Sequence, residues 1–252
     1  MSAAYDTFDY PGYWIGRDYE HKSDIIALKA FLDRIKKIKN ILDVGAGFGR
    51  LVPFYAFRAK KILLTDPSGR ALKMARVAYH DRKNVKFIHS ALFNLPTKIR
   101  SSSNDLVVMV RVIHHITNID TAFKTINRLL SPKGYLVFEF ANKKHVKATF
   151  KELFKGNYLY SQDLTTRDIR SKKAIKRGTL PFLNYHPDRI KEVLDLYGFD
   201  VIEKRSVSNI RSTFLKGIFS TDILLSFETI LQRPFSYIDF GPSIFILARK
   251  RG

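Results

Sequence analysis

The stretch Ile41-Leu42-Asp43-Val44-Gly45-Ala46-Gly47-Phe48-Gly49-Arg50-Leu51 decides the fold of this chain. It begins with a short apolar run, passes through three glycines at alternate positions and returns to helix-forming residues. This is the pattern of a buried strand, a tight turn and the first turn of a helix. Glycines lack a Cβ atom, so a ligand can lie directly against the turn, and the free N–H groups of the following helix face that ligand. The stretch therefore predicts a ligand site at the end of a buried strand.

The spacing of the glycines and of two acidic residues indicates which ligand binds there. A dinucleotide fingerprint, G-x-G-x-x-G, would need its third glycine at the position of Arg50, and no Gly-Lys-Ser/Thr of a triphosphate-binding loop follows. Asp43 precedes the first glycine by two positions, where a carboxylate disfavours a diphosphate and favours a cationic group. Asp66 ends a second apolar run, where it can accept hydrogen bonds from both hydroxyls of a ribose. Together these features predict a nucleoside ligand.

The segment from Asp43 to Gly49, followed by Asp66, resembles motifs I and II of the class I S-adenosylmethionine-dependent methyltransferases. The resemblance extends over residues 20–205 and the last strand. It implies an α/β, Rossmann-like fold with a seven-stranded, mostly parallel sheet and helical cap and lid insertions. It also implies S-adenosyl-L-methionine as the cofactor. The cofactor-binding residues that follow from the resemblance are Asp43, Gly45, Ala46, Gly47, Gly49, Asp66, Pro67, Ala91, Leu92, Arg111, Arg17 and Tyr13.

One position departs from the family pattern. The family usually has an acidic residue near position 91 that accepts a hydrogen bond from the adenine amino group, and Ala91 cannot do so. We therefore expect the adenine to be held by Asn94, by backbone groups or mainly by apolar contact.

The chain is strongly basic, with 44 Lys+Arg against 23 Asp+Glu and a formal net charge of +21. An anionic partner such as RNA, DNA, a lipid surface or a phosphorylated metabolite is one interpretation. A lysine-rich proteome is the other. The absence of cysteine excludes disulfides, thiolate nucleophiles and zinc–thiolate sites. No apolar run is long enough for a transmembrane helix and the N-terminus does not resemble a signal peptide, so we expect a cytoplasmic location.

The chain reads as a single methyltransferase domain over residues 1–252 with three additions to the sheet. Residues 1–36 form an aromatic N-terminal cap segment, in which Tyr13, Trp14, Arg17 and Tyr19 are candidates for closing the site. Residues 142–185 form a basic lid, since residues 143–177 hold 11 Lys/Arg and 3 Asp/Glu, a net charge of 11 − 3 = +8. Residues 209–242 form a helical insertion before the last strand, which we interpret as a second piece of the cap or an oligomer surface. The oligomeric state is left open.

The predicted fourth strand, from Asp105 to Val110, ends beside two adjacent histidines, His114 and His115. In an open parallel sheet, ligands bind outside the carboxyl ends of the strands, so this segment should border the site. Consecutive side chains diverge and no third ligand is suggested, so no metal site is predicted. An imidazole titrates near neutral pH, and we take His114 and His115 as the candidate catalytic residues, with a purely structural role as the alternative.

These observations predict methyl transfer from S-adenosylmethionine to an O, N or C nucleophile, most simply on a small-molecule acceptor. The alternative is an RNA methyltransferase whose basic lid binds the nucleic-acid backbone. Against it, the lid lacks the regular alternation of aromatic and basic residues that is expected of a stacking platform for single strands. The chain also has no Asn/Asp-Pro-Pro-Tyr/Phe motif.

Overall fold

The computed structural model describes Asp6 and residues 10–252, so residues 1–5 and 7–9 of the predicted N-terminal cap lie outside the described residues. The strands are β1 Asn40–Val44, β2 Lys61–Asp66, β3 Val85–His89, β4 Asn104–Met109, β5 Leu130–Ala141, β6 Arg167–Asp168, β7 Leu183–Asn184, β8 Phe199–Val207 and β9 Ser243–Lys250. The helices are α1 Tyr10–Tyr13, α2 Asp18–Asp33, α3 Val52–Tyr55, α4 Gly69–Ala78, α5 Ile119–Leu129, α6 Val146–Leu153, α7 Lys172–Lys176, α8 Pro187–Leu196, α9 Thr213–Ile218 and α10 Thr221–Ser236.

Seven strands form one sheet in the order β3-β2-β1-β4-β5-β9-β8. The first five strands of this order are parallel, β9 is antiparallel to β5, and β8 is antiparallel to β9. This confirms the predicted Rossmann-like, mostly parallel seven-stranded sheet. The chain leaves β1 for β2 in one direction and later returns to β4 on the other side of β1. Such a switch point opens a crevice at the carboxyl ends of the strands.

The sheet is covered on both faces, as parallel sheets require. On one face, apolar residues of α5 and α8 such as Phe123, Ile126 and Val193 pack against the sheet. On the other face, α2, α3 and α4 contribute residues such as Phe31 and Val52. The strands are therefore buried on both sides, which explains their continuous apolar runs.

Both insertions emerge from the same edge of the sheet. Residues 142–185 follow the carboxyl end of β5, and α9 and α10 follow the carboxyl end of β8, which runs parallel to β5 because both are antiparallel to β9. The glycine turn after β1 lies at this edge too. The insertions thus lie on the side of the sheet where the crevice opens.

The first insertion is fixed by a buried lysine. The Lys143 Nζ donates to the Asp163 carboxylate and carbonyl at 2.7 and 2.6 Å and to the Thr165 carbonyl at 2.7 Å. Because Lys143 is 2% exposed, one of the basic residues of this segment is structural and does not face a partner.

One expectation for the cap changes. α2 begins at Asp18, and Tyr19 and Glu20 are buried in its first turn. In that turn the Tyr19 hydroxyl donates to Glu228 of α10 at 2.6 Å, so Tyr19 joins two helices and does not close the site as predicted. β5 starts at Leu130, and its pairing with β4 is irregular near its beginning, where Lys133 has a φ of +60°. Among the described helices, none is long and apolar enough to cross a membrane.

Candidate active site

The glycine turn connects β1 to α3 and has the backbone that its sequence predicts. Gly45, Gly47 and Gly49 have φ values of +69°, +58° and +84°, in the left-handed region that favours glycine. A Cβ on Gly45 would lie 2.3 Å from Cγ2 of Val112, which follows β4. Any side chain at Gly45 would therefore push the turn away from β4 and deform the floor of the crevice.

Asp66, at the carboxyl end of β2, is fixed by the backbone around it. Its carboxylate accepts hydrogen bonds from the N–H of Gly47 at 2.8 Å and from the N–H of Ser68 at 2.7 Å. Burial raises the pKa of Asp66 and these two bonds oppose that rise. A carboxylate can accept about four hydrogen bonds, so two positions are left for the hydroxyls of a ligand.

A cavity of about 330 Å³ opens at this edge of the sheet. Seven of the predicted cofactor residues line it: Gly45, Gly47, Asp66, Pro67, Ala91, Leu92 and Arg111. His115 lines it as well. Its lining also contains residues that sequence analysis did not single out: Pro11, Val44, Phe48, Arg70, Ala71, Met74, Ser90, Phe93, Val112, Ile116 and Leu180.

The residues of α4 and of the segment after β3 that line the cavity are mostly apolar, with Arg70 and Ser90 as the exceptions. Ala71 and Met74 from α4 lie with Leu92 and Phe93 from the segment after β3, whereas Asn94 is not among the lining residues. Of the alternatives for holding an adenine without an acidic residue, this lining favours apolar contact.

Asp43 lies directly beneath the turn and is almost fully buried. The Tyr55 hydroxyl donates to it at 2.5 Å. Burial, with a smaller contribution from the nearby Asp66 carboxylate, raises the pKa of Asp43 to about 7 although Tyr55 and Arg50 oppose the rise. Asp43 and Ala46 do not themselves line the cavity, and neither does Gly49, so any contribution from them acts through the shape and charge of the turn.

A carboxylate that sequence analysis missed fixes two arginines beside the cavity. Asp24 of α2 is fully buried and accepts from the Nη2 of Arg50 at 2.9 Å and from the Nη2 of Arg111 at 3.0 Å. The guanidinium of Arg50 also stacks on the Trp14 ring, 3.9 Å from its centroid. Asp24 lies four residues before Leu28 on the apolar face of α2, and an acidic residue on such a face is a detectable signal.

Arg111 is held from a second side. It adopts a φ of +63°, and its N–H donates to the buried carboxylate of Glu139 at 3.0 Å. The Glu139 carboxylate in turn accepts from the Ser243 hydroxyl at 2.6 Å. A side chain fixed through both its backbone and its guanidinium is well suited to orient a bound anion.

The predicted cap residues Tyr13 and Arg17 do not line the cavity. The Arg17 guanidinium lies over the Tyr13 ring, 4.2 Å from its centroid, and both side chains are exposed. The cofactor-binding role predicted for Tyr13 and Arg17 stays a prediction. Within the described part of the cap, Pro11 is the residue that lines the cavity, and Asp6 accepts from the Ser68 hydroxyl at 2.7 Å.

The two histidines have different surroundings. His115 lines the cavity, and its Nδ1 lies 2.6 Å from the carbonyl oxygen of Pro181 in the lid, so Nδ1 carries the proton and Nε2 is the nitrogen that can accept one. Burial lowers the pKa of His115. His114 is not among the residues that line the cavity; it stacks on Phe182 with ring centroids 4.6 Å apart, and burial lowers its pKa well below the usual value. Both rings are therefore neutral at pH 7, and only His115 is placed to act on a ligand.

The raised pKa of Asp43 predicts a pH-dependent affinity for a cationic ligand. Below a pH of about 7 the empty protein holds a proton on Asp43, whereas a cation nearby favours the carboxylate, so binding releases that proton. The affinity should rise with pH, by up to about tenfold between pH 6 and pH 8. Calorimetric titration of S-adenosylmethionine at several pH values measures this, with Asp43→Asn as the control that should bind with little pH dependence. An equally steep rise in the variant would assign the proton to another group.

Comparison with known proteins agrees with this geometry. Residues 42–138 match a family model described as a methyltransferase domain. The ubiquinone/menaquinone biosynthesis C-methyltransferase UbiE of Shewanella oneidensis is 24% identical over 180 residues, which cover 67% of this chain and 69% of that protein.

Solved structures resemble the whole fold. An S-adenosylmethionine dependent methyltransferase from Mesorhizobium loti superposes with a TM-score of 0.60 at 18% identity, covering 90% of this chain and 98% of its own. The N-methyltransferase NodS from Bradyrhizobium japonicum, solved with S-adenosyl-l-homocysteine, superposes with a TM-score of 0.59 at 13% identity, covering 98% of this chain and 95% of its own. At such identities the likeness establishes the fold.

Proposed function

We propose that this S-adenosylmethionine-dependent methyltransferase acts on a small-molecule acceptor. Residues 42–138 match a methyltransferase domain, and the sheet has the topology of the class I fold. The observation that carries the proposal is the cavity of about 330 Å³ at the switch point of the sheet. Its walls combine the glycine turn, the Asp66 carboxylate and an apolar pocket. Cavities of this size and lining are typical of small-ligand sites.

The residues present fit a nucleoside with a charged tail. Asp66 can accept from the ribose hydroxyls, the apolar side chains around Ala91 can enclose the adenine, and the turn at Gly45 can lie against the tail. Arg111, fixed by Asp24 and Glu139, can bind a carboxylate. S-adenosylmethionine, when bound, supplies a methyl group that its sulfonium already activates.

The protein's own contribution is positioning and exclusion of water. Pro11 from the cap and Leu180 from the lid line the cavity together with the sheet edge. Both side chains are apolar, and they come from elements outside the sheet. They limit the access of water to the acceptor and hold the acceptor against the methyl donor.

His115 is the residue that we assign to proton removal from the acceptor. It is neutral because burial lowers its pKa, and the Pro181 carbonyl fixes its tautomer. A neutral imidazole at the cavity wall can take a proton from an oxygen, nitrogen or carbon nucleophile as the methyl group is transferred. His114 supports this arrangement by packing its ring on His115 and Phe182.

The basic lid is less suited to RNA than its net charge indicates. Lys143 is buried on Asp163, Arg167 pairs with Glu152 at 3.1 Å, and Arg170 pairs with Asp168 at 2.6 Å. These internal pairs leave fewer cations for phosphates than the residue count implies. Only the exposed lysines of the lid and the overall net charge still favour the RNA alternative.

The acceptor class can be tested with a labelled methyl group. The protein is incubated with methyl-labelled S-adenosylmethionine and a cell extract, which is then separated into small molecules and RNA. We expect the label in the small-molecule fraction, and His115→Ala should strongly reduce it. Label in RNA that survives removal of small molecules and is sensitive to ribonuclease would establish the RNA alternative instead.

A further inference from the structure

Helix α10 is amphipathic, but its polar side faces the protein and its apolar side faces solvent. Its polar residues Glu228, Gln232 and Ser236 are buried, while the apolar residues on its other side are exposed. We define the apolar ridge as Ile223, Phe227, Ile230, Pro234 and Tyr237, which recur every three or four residues and so share one face. Ile230 and Tyr237 are 71% and 76% exposed. The ridge extends over about 21 Å of helix.

The buried polar side of α10 is hydrogen-bonded to α2 and to the segment after β8, so the orientation of the helix is fixed. The Glu228 carboxylate accepts from the N–H groups of Ser208 and Asn209 at 2.7 and 3.1 Å and from the Tyr19 hydroxyl at 2.6 Å. The Gln232 side chain donates to the Ser23 carbonyl at 3.0 Å. Turning the ridge inward would break these bonds and leave a carboxylate without partners, which is strongly unfavourable.

A second exposed apolar surface lies on α6, next to the end of α10. The N–H of Val146 donates to the carbonyl of Phe240 at 3.1 Å, which joins the start of α6 to the segment after α10. On α6 and just after it, Phe150 and Phe154 are 54% and 86% exposed. Lys147, one turn before Phe150, and Lys151, between the two rings in sequence, are exposed as well. Aromatic side chains interleaved with lysines are typical of helices that lie in a membrane interface.

α6 follows β5 and α10 follows β8, strands whose carboxyl ends lie at the edge of the sheet that carries the cavity, and the hydrogen bond from Val146 to Phe240 joins the two surfaces. The structure therefore brings apolar side chains and cations together on one side of the molecule. We propose that this side docks the protein on an anionic lipid bilayer, with the apolar ridge and the Phe150 and Phe154 rings in the interface and the lysines on the lipid headgroups. The cavity would then open toward the membrane.

The positive charge of this surface favours an anionic bilayer over the other possible binding partners. A second copy of the chain would also carry a net charge of +21 and would bring further lysines of α6 against these, which is repulsive. RNA would satisfy the lysines but not Ile223 and Ile230, which have no aromatic face on which a base could stack. An anionic bilayer provides both a hydrocarbon interior for the apolar side chains and negative headgroups for the lysines.

Vesicle co-sedimentation of the full chain tests the proposal without cofactor or acceptor, so its outcome is independent of methyl transfer. We expect binding to vesicles of phosphatidylcholine mixed with phosphatidylglycerol, weak binding to phosphatidylcholine alone, and weakening by salt. The double variant Phe227→Ser/Ile230→Ser should reduce affinity roughly tenfold to a hundredfold. Lys147→Glu/Lys151→Glu should reduce it on the mixed vesicles and leave the weak binding to phosphatidylcholine unchanged.

The matched control is Phe57→Ser, since Phe57 is 74% exposed but lies before β2, at the opposite edge of the sheet. It should bind as the unsubstituted protein does, and circular dichroism should show all variants folded. Failure of the unsubstituted protein to bind the mixed vesicles would overturn the proposal. So would a dimer in sedimentation equilibrium that Phe227→Ser/Ile230→Ser dissociates, or RNA retention on filters that the same variant abolishes.

Discussion

Replacing His115 by Ala is expected to lower turnover by roughly 10²- to 10⁴-fold while leaving the affinity for S-adenosylmethionine nearly unchanged. The imidazole lines the cavity with Nδ1 held by the Pro181 carbonyl, so its loss removes the proposed base but no predicted cofactor contact. Since burial lowers the pKa of His115, the unsubstituted enzyme should keep its rate above pH 6.5 and lose it as the pH falls through that lowered value. Single-turnover rates on the identified acceptor, measured across pH, give both quantities.

His114→Ala is the matched control, because His114 is the adjacent ring but does not line the cavity. It should retain most of the turnover and the same pH profile, with reduced stability from the lost stacking on Phe182. Equal rates in His115→Ala and the unsubstituted enzyme would mean that proximity alone drives the transfer and that His115 has no role as a base. Equal losses in both variants would assign the effect to the structure of the lid.

Replacing Asp24 by Ala should lower the free energy of unfolding by about 3–5 kcal/mol. The carboxylate is fully buried and is shared by the guanidinium groups of Arg50 and Arg111, whose side chains are only 9% and 16% exposed. Removing it leaves two positive charges close together with their main counter-ion gone. Urea unfolding followed by circular dichroism and by fluorescence of Trp14, the single tryptophan of the chain, measures the change.

An exposed ion pair provides the comparison. Lys22 and Asp222 lie 3.9 Å apart with side chains that are 51% and 91% exposed, and Asp222→Ala should change stability by no more than about 1 kcal/mol. Asp24→Asn keeps the shape of the side chain and removes its charge, so an intermediate loss is expected. A loss below about 1 kcal/mol for Asp24→Ala would show that the two arginines do not depend on this carboxylate.

The order of the strands and the turn at the site could be predicted because the information is local. The run from Ile41 to Leu51 specifies a strand, a glycine turn and a helix start within eleven residues. Asp66 follows from a second run of the same kind. Each segment needs only its own pattern to be recognised, and the parallel sheet then brings the two carboxyl ends together.

Asp24 could not be assigned to the site from sequence, because its role depends on how α2 packs against the sheet. That packing brings it to Arg50, after the glycine turn, and to Arg111, after β4. No spacing along the chain relates these three residues. The distinction between His114 and His115 is of the same kind, since it depends on where the lid places Phe182 and Pro181.

The exposed apolar ridge of α10 shows that hydrophobic periodicity does not predict which face of a helix is buried. The apolar pattern through Ile223, Phe227 and Ile230 predicts a helix, which the structure contains, and would ordinarily indicate a buried face. Periodicity establishes only that these residues share a face. Which face is buried is decided here by the hydrogen bonds of Glu228 and Gln232 to distant backbone groups.

Calorimetric titration of the unsubstituted protein with S-adenosylmethionine and with NADH, repeated on Asp66→Ala, tests the central claim most directly. We expect S-adenosylmethionine to bind with micromolar-scale affinity and NADH not to bind. Loss of the charge-assisted bonds to the ribose in folded Asp66→Ala should weaken S-adenosylmethionine binding by about 1.5–3 kcal/mol. Binding of NADH in place of S-adenosylmethionine, or unchanged affinity in the folded variant, would contradict the assignment of this cavity to the methyl donor.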